Sequence, residues 1–472
     1  MRILKPFSKK GKFWLPNNKN EYYLGTLIVL SDGDIKLDLD GTFHEDHKIT
    51  DIGMIYGLTT DNKKVTLDQC FYLKKKVGFV FSEAQICVSF LIENAHLNDI
   101  QKVKVEQFDL KVDKLPNWLL LSGFKMLKDK VDSAPSTFEW NRPEEYTVEV
   151  ENFFTLSIEF GWYQGGPNIN CYGETEIIIK ESPYLQIIPK QEISFDKMLD
   201  YSYKITNFLS FASDDILSIT KLSFFVNKII DEDQNTSELI LRYYGCSHTH
   251  TQKISNKYIN NMLFCFPRIK GNFNIILKKW FENYEIIDPA LDLYFAVQFG
   301  AYKNNDARFL ALAQALETLH RRHYKGTRFD KELYTRIKEE ILESCPPQHH
   351  LFLSEKLNFG NELTLHNRLD ELISPFLNLT YNDKNVTNPI FDDIKKLIKD
   401  IKNTRNYLTH YDTRLEKKSI KGEKLYYLTQ ILIGLMQLQL LNIIGFQLDE
   451  IQNICNNSKD LQNKLINPYK KL

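Results

Sequence analysis

The chain of 472 residues contains no CxxC pair, and its cysteines are odd in number. Cys70, Cys87, Cys171, Cys246, Cys265, Cys345 and Cys455 are scattered singly, which argues against a disulfide scaffold and for a reducing compartment. An excess of charge of one sign is also missing: 60 Lys and Arg stand against 61 Asp and Glu, a formal net charge of -1. The whole molecule is therefore no polybasic nucleic-acid coat, although a local basic surface stays open because phosphate affinity follows local fields. There is no long Gly/Ser or Pro linker, no solenoid repeat, no Walker A run and no dinucleotide fingerprint. The most apolar late segment, Leu425 to Phe446, is interrupted by Gln430, Gln437, Gln439 and Asn442, so it reads as a buried or interfacial helix and no membrane span is expected. The opening MRILKPFSKKGKFW has basic residues with no apolar stretch behind them. No signal peptide is expected, and the cytoplasm is the default location.

What is present is ample core material. Hydrophobic residues make up 43% and charged residues 26%, against global disorder. Aromatics reach 13%, which favours sheet. The length suits about three domains. Tyr22 to Leu30, the turn Ser31-Asp32-Gly33-Asp34 and the alternating Ile35 to Asp40 predict a hairpin with Ile35, Leu37 and Leu39 on one face. Short runs at Ile55–Gly57, Phe71–Leu73, Val77–Phe81 and Ile86–Phe90 continue that cadence, predicting a β-sandwich-like or barrel-like first domain over residues 1–140. A second β-rich domain over 141–270 is expected from Thr147–Val150, Phe153–Phe160, Glu174–Ile179, Leu222–Val226 and Leu239–Tyr244. Gly161 to Gly166 is expected to break it, and Gln191 to Phe211 to insert a helix.

From about residue 290 the period changes. Phe309, Leu312, Ala313, Leu316 and Leu319 form a helical stripe over Ala307 to Arg322. Ile337, Ile341 and Leu342 mark a second helix, stopped by Pro346-Pro347, and Leu365 to Phe376 a third. Ile394, Leu397, Ile398, Ile401, Arg405 and Leu408 define another, and Glu423 to Phe446 the last strong one. The reading is an α+β multidomain chain: a β-rich N-terminal region, then an all-α domain of five or six helices over 271–472, with a polar tail from Asn456 as a short extension.

The sharp chemical signal is Thr404-Arg405-Asn406-Tyr407-Leu408-Thr409-His410 at a helix end. Arg405 offers a permanent cation whose donors fork onto phosphate. His410 supplies an imidazole, the side-chain type suited to moving a proton. Five positions separate them, one off the spacing of helical neighbours, so a terminal turn is needed to aim both heads into one cleft. Together they suit attack on an RNA phosphodiester, with no metal and no cofactor required. Residues 395–424 carry ten basic and four acidic side chains, an excess of six positive charges, and Lys402, Arg414, Lys417 and Lys418 are candidate RNA-binding residues on that rim.

The segment resembles the Arg-x4-6-His motif of HEPN ribonucleases, here with four residues between, and Asn406 fits the polar position after the Arg. The helix bearing Glu317, His320, Arg321 and Arg322 resembles the other characteristic HEPN helix. Phe13-Trp14-Leu15-Pro16, Gly25-Thr26-Leu27, Ile55-Tyr56-Gly57 and Val65-Thr66-Leu67-Asp68-Gln69-Cys70 resemble the N-terminal domain of the ApeA-like anti-phage HEPN ribonucleases, and the joint likeness covers nearly the whole chain. What the resemblance implies is a cytoplasmic abortive-infection endoribonuclease acting on transfer RNA, a homodimer through the HEPN domain, and a phage-derived trigger. Arg405, Asn406 and His410 would be catalytic, with Glu317 positioning Arg405 and Tyr407 packing or stacking on a base. Two other readings stand beside it: a non-catalytic HEPN module that binds RNA or protein, and a phage-protein sensor dominated by the β domains.

Three further features carry less. Cys246-Ser247-His248-Thr249-His250 and His349-His350 hold metal-type ligands without a fourth-ligand pattern, and no metal is expected there. Gly161-Trp162-Tyr163-Gln164-Gly165-Gly166 reads as a structural turn ahead of an aromatic recognition loop.

Overall fold

The structure is a computed structural model describing the chain except residues 17, 79, 128–136, 170–174, 231–235, 246–257, 382–385, 388–393 and 470–472. It separates into two compact units, residues 1–259 with 264–278 and residues 260–263 with 279–472. The first is β-rich and the second α-helical, the α+β architecture that the residue patterns imply.

In the first unit six antiparallel strands close on themselves. Their order is Glu83–Glu93, Ile35–Leu39, Tyr22–Val29, Phe7–Trp14, Asp51–Thr59 and Lys64–Lys76, and the last pairs back to the first. Period-two alternation places Phe13, Leu27, Val29, Ile35, Leu37, Ile55, Leu67 and Ile86 inside, each at most 1% exposed. Gly33 makes the expected turn with φ 88°, and an added Cβ would stand 2.5 Å from the Gly245 carbonyl oxygen. The strand Glu83–Glu93 serves two sheets: residues 84–88 pair with Ile35–Leu39, and residues 90–93 pair with Thr236–Gly245. From there the sheet continues through Ile219–Ile230, Gln107–Val112, Thr175–Pro189, Phe154–Ile169 and Tyr146–Val150. Strands from both sides of residue 140 share it. Buried Glu93 at the junction accepts from Lys9 Nζ at 3.0 Å, Lys63 Nζ at 3.2 Å and the Tyr244 hydroxyl at 3.1 Å. The expected inserted helix is Phe195–Ser213, capped by the Ser194 hydroxyl and buried along Met198, Ile205, Phe208, Leu209 and Phe211.

Two β expectations are corrected. Val77–Phe81 is no strand: Lys64–Lys76 ends before it and Glu83–Glu93 starts after it, with Phe79 itself outside the described residues. Gly161–Gly166 does not break the sheet. Strand Phe154–Ile169 runs through it, with Gly161 opposite Ser182 and Gly165 opposite Ile178, and the irregularity is a register shift between Gly165 and Asn168. Ladder pairing supplies what glycine propensity lacks.

The second unit is built around Gly422–Ile443. This helix is apolar nearly all round, with Leu428, Ile431, Leu432, Met436, Leu438 and Leu440 fully buried. Its buried amides are satisfied: Gln437 Nε2 donates to the Tyr294 hydroxyl at 3.0 Å, and Gln439 Oε1 accepts from the Tyr324 hydroxyl at 2.9 Å. Among the described residues no helix is long and apolar enough to cross a membrane.

The unit has more helices than expected. Phe273–Gln298, which begins in the first unit, escapes a periodicity reading because it is apolar on several faces and carries Pro289. Proline has no N–H for the Glu285 carbonyl four residues back. Arg322 bonds there instead, Nη2 to Glu285 O at 3.0 Å and Nε to Ile286 O at 2.5 Å. The polar tail is likewise more than a short extension. Leu448–Asn457 and Lys459–Tyr469 are helices, and fully buried Leu461 and Leu465 pack the second of them. An added Cβ on Gly434 would lie 2.5 Å from Leu465 Cδ2, so the absent side chain permits the close approach to the central helix.

Candidate active site

Arg405 and His410 lie in the last turns of helix Ile394–His410. Leu397, Ile398, Ile401 and Leu408 bury one face of it, while Lys395, Lys396, Lys399 and Lys402 are exposed on the other. The helix is regular to His410. The Tyr411 N–H still bonds the Tyr407 carbonyl at 2.6 Å, and Tyr411 then turns left-handed with φ 50°. Five residues of regular helix put Arg405 and His410 about 140° apart around the axis. The terminal turn expected to converge them is absent within one chain.

Arg405 faces helix Asn305–Leu319, which the Asn304 side chain caps and Asp306 opens favourably for the dipole. Its Nη2 donates to Glu317 Oε2 at 3.1 Å, and its Nη1 to Asn406 Oδ1 at 3.2 Å. Glu317, only 8% exposed, also accepts on Oε1 from Arg321 Nη2 at 3.1 Å and Nε at 3.3 Å. The carboxylate thus bridges two guanidinium groups and fixes the direction of Arg405. The Arg405 side chain keeps 28% of its surface exposed, leaving a face for an anion. Asn406 touches Arg405; no bond to His410 is found among the described residues.

His410 is exposed. Just beyond it, Asp412 accepts from the Arg414 side chain at 2.8 Å and from its backbone N–H at 2.9 Å. The Arg414 side chain first, then that N–H, pull the Asp412 carboxyl down to about 2. Arg414 is therefore engaged by a carboxylate, whereas Lys402, Lys417 and Lys418 project as exposed cations. Tyr407 is half-buried, edge-on to Tyr411 with ring centroids 5.6 Å apart and with Lys421 Nζ 4.8 Å from its ring centroid. Buried Thr404 accepts from the Ile420 N–H at 2.9 Å and ties down the loop that carries Asp412 and Lys417.

Sequence reasoning gave no role to the cluster next to Glu317. The helix Asn305–Leu319 ends in a π-helical turn, His320–Tyr324. His320 is fully buried, its Nδ1 3.0 Å from Arg368 Nη1 and its Nε2 2.8 Å from Glu371 Oε2. A guanidinium only donates, so Nδ1 accepts and Nε2–H donates to Glu371. The imidazole is the neutral Nε2–H tautomer. Burial pushes its pKa down, Glu371 pulls the other way, and Arg368 and Arg321 add to the depression. Arg368, itself buried, donates Nε to the Leu363 carbonyl at 3.1 Å. Arg368 and Glu371 lie three apart on Leu365–Ile373, an i,i+3 pair visible in sequence, but nothing there links them to His320 about fifty residues earlier.

The remaining motifs lie apart from this cluster. Among the described residues no three His, Cys, Asp or Glu side chains group as metal ligands. Cys246–His250 falls outside those residues. His349 sits 3.3 Å from the Gln348 amide, and His350 Nε2 2.7 Å from the Cys345 carbonyl. Trp162 packs on Trp140 with centroids 5.6 Å apart, although 56% of its surface is exposed.

Residues 8–280 match the family model described as ApeA N-terminal domain 1, and residues 310–450 match the one described as Apea-like HEPN. No curated protein and no solved structure matches the chain. The second match covers the helices that carry Glu317, Arg405 and His410, so the all-α region is a HEPN-family domain, a family of nuclease-type enzymes. With the first match alone spanning more than half of the residues, the chain belongs to the ApeA-like HEPN family.

Proposed function

We propose that the protein is an anti-phage abortive-infection endoribonuclease with transfer RNA as its substrate class. The observation that carries this reading is Arg405 gripped by Glu317 and Asn406 on the helix that ends in exposed His410. His410, acting as base, takes the proton of a ribose 2′-hydroxyl. The oxygen attacks the adjacent phosphorus, the bond to O5′ breaks, and the leaving oxygen takes up a proton. The products are a 2′,3′-cyclic phosphate and a 5′-hydroxyl. Arg405 neutralises the phosphorane, so the scheme calls on no metal ion. Asn406 and Glu317 hold the guanidinium in its direction. The roughly 140° between the two heads supports a homodimer: two copies about a two-fold axis surround one phosphate, and their two histidines divide the base and acid roles. Lys402, Lys417 and Lys418 form the basic rim, and the β-rich unit receives the phage-derived trigger.

The test is end-mapping of total RNA before and during phage challenge, comparing wild type with Arg405→Ala and His410→Ala at matched abundance. Cyclic-phosphate ends are expected with wild type only, each substitution lowering cleavage about 10²–10⁴-fold. Intact RNA with wild type throughout infection, or protection that survives His410→Ala, sinks the nuclease reading in favour of binding by the HEPN domain or sensing by the β-rich unit.

A further inference from the structure

Between the Glu317 helix and the Arg368 helix the chain leaves the core. Helices Lys331–Glu343 and His350–Leu357 form an arm in which neither helix has a buried residue. They hold each other: the Tyr334 hydroxyl donates to the Leu357 carbonyl, and Lys338 Nζ to Asn358 Oδ1 at 2.7 Å. Yet Phe329, Leu333, Ile341, Leu351, Phe352 and Phe359 stand 37% to 76% exposed. Single exposed apolar residues are ordinary, but six fall within 31 positions of this one two-helix arm, a density that calls for a cover.

Three observations select the cover. The six side chains offer apolar surface on the order of 500–700 Å², close to the roughly 800 Å² that each member of a standard interface contributes. Residues 328–362 hold five basic and seven acidic side chains, the reverse of the excess on 395–424, which disfavours RNA. Along Lys331–Glu343 the charge is ordered: Lys331, Arg336 and Lys338 precede Glu339, Glu340 and Glu343, with Glu332 alone out of place. An antiparallel copy of the same helix sets each basic half against an acidic half, as a two-fold axis requires.

The arm is rooted in the candidate site. Thr327 and Glu362 pair across its base, and the Arg328 N–H bonds the Asn361 carbonyl at 3.0 Å. Arg321 Nη1 donates to Glu362 Oε2 at 2.8 Å, while its other nitrogens hold Glu317, the carboxylate on Arg405. We propose that this two-helix arm is the surface on which a second copy of the chain docks, and that Arg321 ties the docked arm to the placement of Arg405. The inference deepens the homodimeric reading above by naming its surface.

Sedimentation velocity of the full-length protein without RNA tests the docking. Wild type is expected at twice 55.5 kDa. Leu351→Asp with Phe352→Asp is expected to raise the dissociation constant tenfold or more, with unchanged circular dichroism because both positions are exposed. The control Val80→Asp, a 94% exposed apolar site in the other unit, leaves the mass unchanged. A chain with Arg336→Glu and Lys338→Glu weakens self-association, and mixing it with a chain carrying Glu339→Lys, Glu340→Lys and Glu343→Lys restores it. A monomer at every concentration, a dimer that survives the double aspartate, or arm-dependent cross-links to RNA from a monomer overturns the proposal. Mass is read without cleavage, so failure here and failure of the nuclease reading are separate results. The link through Arg321 is tested by Arg321→Ala, expected to leave the mass at twice the chain while lowering RNA cleavage; unchanged cleavage removes that link.

Discussion

A buried histidine with both ring nitrogens bonded fixes more than its own position. His320 stays neutral because Arg368 presents only N–H to Nδ1, and a proton placed there meets a like-charged donor. The groups facing it are Arg368 and Glu371 on one helix, with Arg321 and Tyr324 on its own turn. Its pKa is depressed in the folded state, so the unfolded chain binds the proton more readily. Stability from this group is fully present above about 6.5, the ordinary histidine value, and is lost as pH falls through the lower folded value. Urea midpoints measured downward from pH 7 are expected to fall in that window. His320→Gln, which keeps an acceptor for Arg368 and a donor for Glu371 but cannot titrate, is expected to flatten the slope; an equally steep profile in this variant assigns the loss to other groups.

At the scale of elements, the helix Lys459–Tyr469 matters to the second unit more than its polar composition suggests. Leu461 and Leu465 are completely buried, and Leu465 lies against the glycine of the central helix. Leu465→Ala is expected to cost about 2–5 kcal/mol by leaving a cavity, read as a lower urea midpoint with unchanged slope; a loss under about 0.5 kcal/mol would show this helix to be a dispensable cover. Leu461, Leu465 and Ile466, set among polar and charged residues, carry little periodic signal, which is why the tail reads as an extension. The arm is the opposite case: Ile337, Ile341 and Leu342 make its first helix legible, yet the fold buries no residue of that helix. Patterns of period two and 3.6 made most strands and the Arg405 helix legible, because one face of each meets a core. The Glu317 grip on Arg405 joins residues 88 positions apart, and only the family likeness suggested it. The His320–Arg368–Glu371 chain had no such pointer.

For the whole molecule, near-neutral total charge hides a segmental imbalance. The excess of six positive charges over 395–424 is offset elsewhere, including the acidic arm, so the proposed RNA is expected to be drawn to that segment. RNA affinity is expected to fall with rising salt. Replacing Lys402, Lys417 and Lys418 together by Gln is expected to reduce the log–log salt slope by about 2, at roughly 0.7 per phosphate contact on a single strand. Filter binding with a His410→Ala background reads that slope without cleavage, and an unchanged slope places the RNA elsewhere.

The strand Glu83–Glu93 divides one of its edges between two neighbours, Ile35–Leu39 along its first half and Thr236–Gly245 along its last four residues. That split makes the barrel inseparable as a fragment. Cut away from the sheet that follows, it would keep its closed wall but expose the amides and carbonyls of Phe90–Glu93, a short adhesive edge ready to recruit another strand. The continuation of the chain is therefore the barrel's guard against self-association at this edge, and a trigger that loosened Thr236–Gly245 from it would uncover a strand-docking site at Phe90–Glu93 that the folded unit keeps paired.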